Sequence, residues 1–268
     1  MAKEKIEIYA LLQRIRKEKP LVHFLTNWVT IYDCANIAKV LGASPVMAHA
    51  KEEAEEMAGL ASALVLNIGT LTIDFVESMK AASRGANNKG IPVILDVCGA
   101  GSTHLRDKAC FELLSNAKIN VIKGNVSEIA RIAGRQIHTK GVDSAVVTES
   151  HLELAKELAG KYKAVVVITG EQDIVSDGHK IYLVNNGVAM MGNVVGTGCL
   201  AASCIGAFCA VEKDWAYASA AGLSCFEIAA ECAAKEVSGP GMFKEKIYDE
   251  VYNLSEEKIN SMQKVELV

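Results

Sequence analysis

The residues most suggestive of chemistry form a short glycine loop, Gly196-Thr197-Gly198-Cys199, followed by small residues that favour a helix. Two glycines at a loop-to-helix junction leave backbone N–H groups unobstructed. The helix start adds partial positive charge, so an anion such as a phosphoryl group can bind there. Cys199 is expected at that helix start, where thiol pKa values usually fall. A tight turn beside a small buried thiol explains the same spacing, and both interpretations stay open.

A second candidate pair is Asn125 and Glu128, which stand three residues apart just after the apolar run Ile119–Ile122. That spacing places both side chains on one side of a first helical turn. Their oxygens suit Mg²⁺, which prefers one or two carboxylates together with phosphates and water. The pair also fits a capping box, in which Asn125 caps the helix and Glu128 bonds back to it.

Asp96 closes another apolar run and precedes the segment Gly99–Gly101. An acid at a strand's carboxyl end beside a glycine loop can face a metal or a phosphate, although a turn or N-cap aspartate is an equally good explanation. Small or polar residues follow three further runs, at Thr26-Asn27, Asn67–Thr70 and Thr169–Glu171. Because parallel strands end at one sheet edge, this clustering predicts a single ligand site.

The elements that must position these residues alternate along the first two-thirds of the chain. Five near-continuous apolar runs predict strands covered on both faces, at Leu21–Leu25, Ala63–Ile68, Pro92–Val97, Ile119–Ile122 and Ala164–Ile168. Helical patterns are found at Trp28–Leu41, Lys51–Ala58, Thr72–Arg84, Ser102–Ala117, Val126–Ala133 and Asp143–Tyr162. The alternation predicts an α/β fold with a mostly parallel central sheet and helices on both faces.

The pattern changes after Gly170. Asp173–Ser176 and Lys180–Val184 flank the hairpin dipeptide Asp177-Gly178, which predicts a short antiparallel edge. From Gly198 onward only helices are expected, including an amphipathic tail over Lys244–Gln263. Residues 1–268 show no linker or repeat, and we therefore expect a single domain.

Composition excludes several classes of protein. The chain has 268 residues and a net charge of −4, which argues against a nucleic-acid or polybasic membrane partner. No uncharged apolar run reaches the length of a membrane span, and no signal peptide is expected at the N-terminus. The eight cysteines and six histidines lack the spacings of zinc sites or disulfide frameworks, so we expect reduced thiols in the cytoplasm. Walker A, dinucleotide-binding and serine-hydrolase motifs are also missing.

Taken together, these segments resemble the hydroxyethylthiazole kinase family. The resemblance rests on Leu25–Asn27, Gly42–Ala48, Asn67–Leu71, Asp96–Gly101, Gly124–Ile129, Thr169–Glu171 and Gly196–Leu200, in order along the chain. It implies a ribokinase-like fold, and a homotrimer whose thiazole sites lie between subunits. It also implies phosphorylation of the hydroxyl of 5-(2-hydroxyethyl)-4-methylthiazole by ATP, with Mg²⁺, in thiamine salvage or biosynthesis.

The resemblance also implies roles for individual residues. The thiazole would be bound by Asn27, Met47 and Gly69, with Gly196 at its hydroxyethyl end. ATP would be bound by Lys123, Asn125, Thr169, Thr197 and Gly198. Asp96 and Glu128 would organise the metal, and Cys199 would be catalytic, since it occupies the place of the base aspartate in the wider ribokinase group.

One position departs from the family. Lys123 stands where the family usually has an arginine, and a lysine supplies charge without a bidentate fork.

Two other functions remain open from the sequence. One is another small-alcohol kinase of the same fold, acting on a hydroxymethylpyrimidine or pyridoxal-type substrate. The other is a non-catalytic homologue that senses a ligand.

Overall fold

The computed structural model describes residues 6–135 and 149–268, and nine strands in these ranges form one sheet. In chain order they are β1 Leu21–Leu25, β2 Ser44–Val46, β3 Ala63–Asn67, β4 Val93–Asp96, β5 Val121–Asn125, β6 Val165–Thr169, β7 Asp173–Ser176, β8 Ile181–Val184 and β9 Val265–Leu267. Their order across the sheet is β2-β1-β3-β4-β5-β6-β7-β8-β9. Strands from β2 to β6 pair in parallel, whereas β7, β8 and β9 pair antiparallel. The predicted mixed sheet with an antiparallel edge is confirmed.

The α-helices in the described part of the chain are α1 Ile8–Glu18, α2 Ile31–Leu41, α3 Lys51–Leu60, α4 Ile73–Lys89, α5 His104–Asn116, α6 Val126–Ile132, α7 Glu149–Tyr162, α8 Thr197–Cys209, α9 Trp215–Glu236, α10 Pro240–Tyr252 and α11 Glu256–Met262. A 3₁₀-helix covers Ala189–Asn193. Among these described helices, none has the length and hydrophobicity that a membrane crossing requires.

A hydrophobic core covers each face of the sheet, and this explains why the strand sequences are continuously apolar. On one face, Phe24 and Val65 pack with residues of α1, α2, α8, α9 and α10. On the other face, Leu64 and Leu66 pack with residues of α3, α4, α5, α6 and α7. Helix α8 lies very close to the sheet, since a Cβ built on Gly206 would lie 2.4 Å from Val65 Cγ2. Glycine at this position lets the start of α8 reach the strand ends.

Two strands were not expected from the sequence. Strand β2 has three half-buried residues and includes Pro45, so it is too short to produce an apolar run. Strand β9 pairs with β8 at the far edge, and the expectation of helices only after Gly198 is therefore wrong. Its pairing partner lies about 80 residues earlier in the chain, a relation that local periodicity does not report.

Several helix boundaries also differ from expectation. The helix expected from Trp28 begins at Ile31, because residues 28–30 form a turn. The tail expected over Lys244–Gln263 consists of α10 and α11. The expected helix Asp143–Tyr162 is present from Glu149 onward, and residues 143–148 lie outside the described ranges.

Candidate functional site

Four polar side chains from neighbouring strand ends form a buried hydrogen-bonded chain. Asn27 follows β1, and its Nδ2 donates to Asn67 Oδ1 at the end of β3 over 2.9 Å. Asn67 Nδ2 in turn donates to Asp96 Oδ2 at the end of β4 over 2.9 Å. Lys123 Nζ, from β5, approaches the same carboxylate oxygen at 3.4 Å. The expectation that strand-end residues share one edge is confirmed for these strands.

Cys199, in the first turn of helix α8, contacts this row of hydrogen-bonded side chains. Its Sγ accepts hydrogen bonds from Asn27 Nδ2 at 3.3 Å and from Asn67 Nδ2 at 3.5 Å. A Cβ built on Gly198 would lie 3.1 Å from Lys123 Nζ, so the ammonium group lies against the first turn of α8. We call Asn27, Asn67, Asp96, Lys123 and Cys199 the strand-end network.

The glycine loop itself requires Gly196. This residue is the N-cap of α8 and has φ +99°, in the left-handed region that favours glycine. A Cβ there would also lie 2.5 Å from Thr30 Cγ2. The backbone can therefore enter α8 over the strand ends only without a side chain at this position.

Charge in the network is balanced between Asp96 and Lys123. Burial raises the pKa of Asp96 to about 6, and the charge of Glu128 adds to the rise, while Lys123 and Asn67 oppose it. Burial lowers the pKa of Lys123, but the charges of Asp96 and Glu128 outweigh burial and leave that pKa raised. At neutral pH the pair is therefore a lysine cation beside an ionised aspartate.

The expectation of a lowered thiol pKa at Cys199 is wrong. Burial raises the pKa of Cys199, and the charge of Asp96 raises it further. Hydrogen bonds from Thr30 and Asn27 and the charge of Lys123 oppose this only in part. The desolvation of a thiolate thus outweighs the hydrogen bonds and the lysine charge that stabilise it. Cys199 carries its proton at neutral pH.

Asn125 and Glu128 form the capping box that their spacing allowed. Asn125 Oδ1 accepts from the Glu128 N–H at 2.9 Å, and Glu128 Oε2 accepts from the Asn125 N–H at 2.8 Å. Glu128 Oε1 also accepts from the Gly99 N–H at 2.6 Å, which ties the loop after β4 to α6. The capping interpretation is confirmed, and the carboxylate of Glu128 faces the same region as Asp96.

The donor set near Asp96 fits a metal that takes most of its ligands from phosphates. Within residues 6–135 and 149–268, no group of three or more His, Cys, Asp or Glu side chains can hold a metal. Two neighbouring carboxylates, Asp96 and Glu128, are the number that Mg²⁺ commonly takes from a protein when phosphates and water complete its shell. The metal role of these two residues remains a prediction.

A cavity of about 870 Å³ opens beside the start of α8. It brings together three residues expected to bind ATP, Thr169, Thr197 and Gly198. Asn125 lies beside them, since it pairs with Thr169 in the β5–β6 register. The volume lies within the range of small-molecule sites. Gly198 lines this cavity and also lies against Lys123 Nζ, so the ammonium group is separated from the cavity only by the first turn of α8.

The expected thiazole contacts lie on the other side of the network. The Gly69 N–H donates to Asn67 Oδ1 at 2.9 Å, and a Cβ at Gly69 would lie 2.9 Å from Asn27 Cβ. Met47 follows β2 and is half-buried against the core. His23 holds this segment through a 2.9 Å contact between its Nε2 and the carbonyl oxygen of Ala48.

Two residues of the site were given no individual role by the sequence. Asn67 links three members of the network, and its position at a strand end was the available signal. Arg106 on α5 donates from Nη1 to the carbonyl oxygens of Ile68 at 3.1 Å and Cys98 at 2.8 Å. It thereby joins the loops after β3 and β4. No sequence signal identifies Arg106, because its acceptors are backbone carbonyls.

Comparisons with known proteins agree with one another. The model of the "Hydroxyethylthiazole kinase family" matches residues 12–257. A hydroxyethylthiazole kinase of Methanosarcina mazei is 51% identical, with 95% of this chain and 98% of that protein covered. The structure of hydroxyethylthiazole kinase from Pyrococcus horikoshii OT3 is 41% identical and superposes with a TM-score of 0.90, covering 97% of this chain and 98% of that one.

A more distant structure supports the fold alone. A ribokinase-like superfamily protein of Enterococcus faecalis is 16% identical and has a TM-score of 0.60, with 86% of each chain covered. The fold expected from the resemblance is therefore confirmed as ribokinase-like. Since the family model spans most of the chain and the curated relatives match it nearly end to end, the chain belongs to the hydroxyethylthiazole kinase family.

Proposed function

We propose that this chain transfers the γ-phosphoryl group of ATP to the hydroxyl of 5-(2-hydroxyethyl)-4-methylthiazole, a reaction that serves thiamine salvage or biosynthesis. The observation that carries the proposal is the position of the strand-end network between the cavity of about 870 Å³ and the residues expected to bind the thiazole. The cavity at Thr169 and Thr197 lies on one side, and Gly69 with Asn27 lies on the other. Family membership supports the same reaction.

The phosphate groups would be held by backbone and charge. Phosphoryl transfer through a loose transition state needs alignment and charge neutralisation more than a strong base. The first turn of α8 offers N–H groups from Thr197 to Cys199, and Lys123 lies directly beside Gly198. Asn125, Thr169 and Thr197 would complete the contacts to ATP at the cavity.

Cys199 would position the substrate hydroxyl. Its thiol is protonated at neutral pH, and its sulfur already accepts from Asn27 and Asn67. A protonated thiol offers a weak donor that can orient the hydroxyl beside Gly196. In a loose transition state the hydroxyl proton leaves late, so a preformed thiolate is not required.

Mg²⁺ would be held by Asp96 and Glu128 together with the phosphates, and when bound it neutralises phosphate charge. Glu128 keeps its backbone contacts to Gly99 and Asn125 in this arrangement, since each carboxylate oxygen can accept more than one partner. Asp96 is ionised at neutral pH and is therefore ready to act as a ligand.

We also propose that the active protein is a homotrimer with thiazole sites between subunits. Large apolar side chains are exposed close to the expected thiazole side: Trp28 is 54% exposed, Tyr32 75% and Ile73 70%. A surface of this kind favours burial against a neighbouring chain. The eight free cysteines fit a cytoplasmic location, and the continuous sheet fits a single domain over residues 1–268.

The experiment that tests the function is an ATP-consumption screen across thiazole, hydroxymethylpyrimidine and pyridoxal alcohols, with and without Mg²⁺. We expect product only from the thiazole alcohol and only with the metal. Asp96→Asn, checked for folding by circular dichroism, serves as the inactive control. Comparable turnover of a pyrimidine or pyridoxal alcohol, or tight thiazole binding without product, would overturn the proposal.

A further inference from the structure

A pair of buried acids lies in the wall of the 870 Å³ cavity, outside the strand-end network. Asp173 begins β7 and is 3% exposed, while Glu227 lies on α9 and is 6% exposed. Their carboxyl groups are hydrogen-bonded to each other. Apart from this contact, Asp173 Oδ2 and Glu227 Oε2 are fully buried and meet no donor among the described residues.

Two carboxylates cannot hydrogen-bond to each other unless one of them carries a proton. One shared proton would satisfy both Asp173 Oδ2 and Glu227 Oε2, which would otherwise be buried without a partner. Burial raises the pKa of Asp173, and burial together with the charge of Asp173 raises the pKa of Glu227. The geometry and the electrostatics therefore agree on a carboxyl pair with a single negative charge.

The groups around the pair do not replace that proton. Lys123 on β5 acts on Asp173 from a distance, and its near partner is Asp96. Glu231, one turn further along α9, adds negative charge, while Lys264 is hydrogen-bonded to Glu231 at 3.0 Å. Cys204 of α8 also faces Glu227, and burial keeps its thiol neutral by raising its pKa.

The pair connects the two walls of the cavity. On one wall, Asp173 Oδ1 accepts from the Gly170 N–H at 2.9 Å, next to Thr169. On the other wall, a Cβ built on Gly187 would lie 3.8 Å from Glu227 Cδ. A shared proton therefore joins the loop after β6 to the segment after β8 through α9.

We propose that Asp173 and Glu227 are positioning residues that share one proton and hold the two walls of the nucleotide cavity at the spacing that binds ATP. This inference rests on the proposed function, since it takes the cavity as the nucleotide site. Loss of the proton would place two charges against each other, separate the walls and weaken nucleotide binding. Thiazole binding, on the far side of Asn27, would be unaffected.

Glu227→Gln is the variant that isolates the proton. Its amide can donate to Asp173 at any pH and so replaces the protonated acid. Glu227→Leu removes the hydrogen bond to Asp173 and leaves an apolar side chain at this buried position of α9. Glu250→Gln is the matched control, because Glu250 is equally buried but lies on α10, bonded to Lys258 at 2.9 Å, away from the cavity.

The first measurement is the unfolding equilibrium of the parent, Glu227→Gln and Glu250→Gln between pH 5 and 10, without ligand. An acid with a raised folded-state pKa loses its stabilising contribution as pH rises toward that pKa. The unfolding constant of the parent should therefore rise relative to Glu227→Gln, by up to about tenfold per pH unit. Parallel profiles of the parent and Glu227→Gln would show that no proton is shared and would overturn the inference.

The second measurement is calorimetric titration of ADP into the same proteins and Glu227→Leu. We expect the parent to lose ADP affinity at alkaline pH, and Glu227→Gln to keep its affinity across the range. Glu227→Leu should bind ADP about tenfold more weakly at pH 7, while Glu250→Gln matches the parent. Unchanged affinity in Glu227→Leu would overturn the positioning role. A parent that binds no ADP at any pH would overturn the proposed function as well, whatever the ligand-free profiles show.

Discussion

The strand-end network and the Asp173–Glu227 pair are both built around buried acids, but they neutralise those acids differently. Asp96 has a lysine cation beside it, with Lys123 Nζ at 3.4 Å. Asp173 has no cation beside it; its near partners are another acid and the Gly170 N–H. The first arrangement keeps a positive charge beside the start of α8. The second arrangement leaves a single negative charge on two acids in the wall of the cavity.

The comparison shows that one sheet can hold a buried ion pair, Asp96 with Lys123, and a buried pair of acids, Asp173 with Glu227. Lys123 lies on the parallel strand β5 and Asp173 on the antiparallel strand β7, and their partners come from different layers. Asp96 belongs to the next strand in the sheet, whereas Glu227 belongs to a covering helix. Each of the following predictions breaks or sharpens this contrast.

The largest effect is expected from Lys123→Met, which leaves Asp96 buried without a cation. Loss of a preorganised positive group beside the transferring phosphoryl should lower kcat/KM by about 10²–10³. The substitution also leaves the buried charge of Asp96 without a partner, which should lower the free energy of unfolding by about 3–5 kcal/mol unless Asp96 takes up a proton. Steady-state kinetics and denaturant unfolding measure the two effects. Lys123→Arg, which keeps the charge, is the control, and a Lys123→Met protein within tenfold of the parent would contradict the assignment.

The second prediction concerns pH, and it has opposite signs for activity and stability. The pKa of Asp96 lies at about 6, above its ordinary value, so the folded protein holds this proton more tightly than the unfolded chain. Asp96 should therefore favour folding at low pH and lose that contribution as pH rises toward 6. Activity needs the ionised carboxylate, so kcat/KM should fall about tenfold per pH unit below pH 6.

A pH–rate profile and unfolding curves between pH 4 and 8 test whether activity and stability depend on pH in these opposite directions. Asp96→Asn should lose the stability slope assigned to this carboxyl, although its activity is low at every pH. An activity profile that stays flat down to pH 5 would show that ionised Asp96 is not required.

The third prediction is smaller and concerns Asn67→Ala. The substitution removes the donors to Asp96 and Cys199 and the acceptor for Asn27. We expect a loss of about 1–3 kcal/mol of stability and about tenfold in kcat. Asn87→Ala is the matched control, because its amide bonds the Lys118 backbone at 2.9 Å and 2.8 Å near the C-terminal end of α4, outside the strand-end network. If Asn67→Ala and Asn87→Ala have the same kcat, Asn67 does not belong to the functional site.

The smallest effect is expected from Cys199→Ser. A raised thiol pKa means that little thiolate is present at neutral pH, so removing it should cost little. We expect a loss in kcat of less than about tenfold with an unchanged pH profile, compared with about 10²–10⁴ for a lost general base. A loss in that larger range, with a new limb in the pH profile, would restore the base role.

The sequence was sufficient to predict the elements that hold the site. Continuous apolar runs predicted β1, β3, β4, β5 and β6 because both faces of these strands are buried. The strand ends indicated Asn27 and Asp96, the glycine loop indicated Cys199, and the structure connects all three through Asn67. The capping box at Asn125 was also visible, because it depends on a fixed spacing of three residues.

The rest depended on contacts between residues far apart in the chain. The short strands β2 and β9 exist only through pairing with distant partners. The thiol pKa of Cys199 was predicted from the helix start alone, whereas the burial of its side chain decides the direction of the shift. The partnership of Asp173 with Glu227 joins residues on β7 and α9 and has no local pattern. The spacing of residues along the chain predicts local geometry, but it does not show which side chains are removed from water in the folded protein.

The most direct test of the central claim is a crystal structure with Mg²⁺, a non-hydrolysable ATP analogue and the thiazole alcohol. The account predicts that the γ-phosphate contacts the Gly198 N–H and Lys123 Nζ, and that the substrate hydroxyl lies between that phosphate and Cys199 Sγ. A γ-phosphate bound away from the first turn of α8, or a thiazole bound on the cavity side of Lys123, would contradict it.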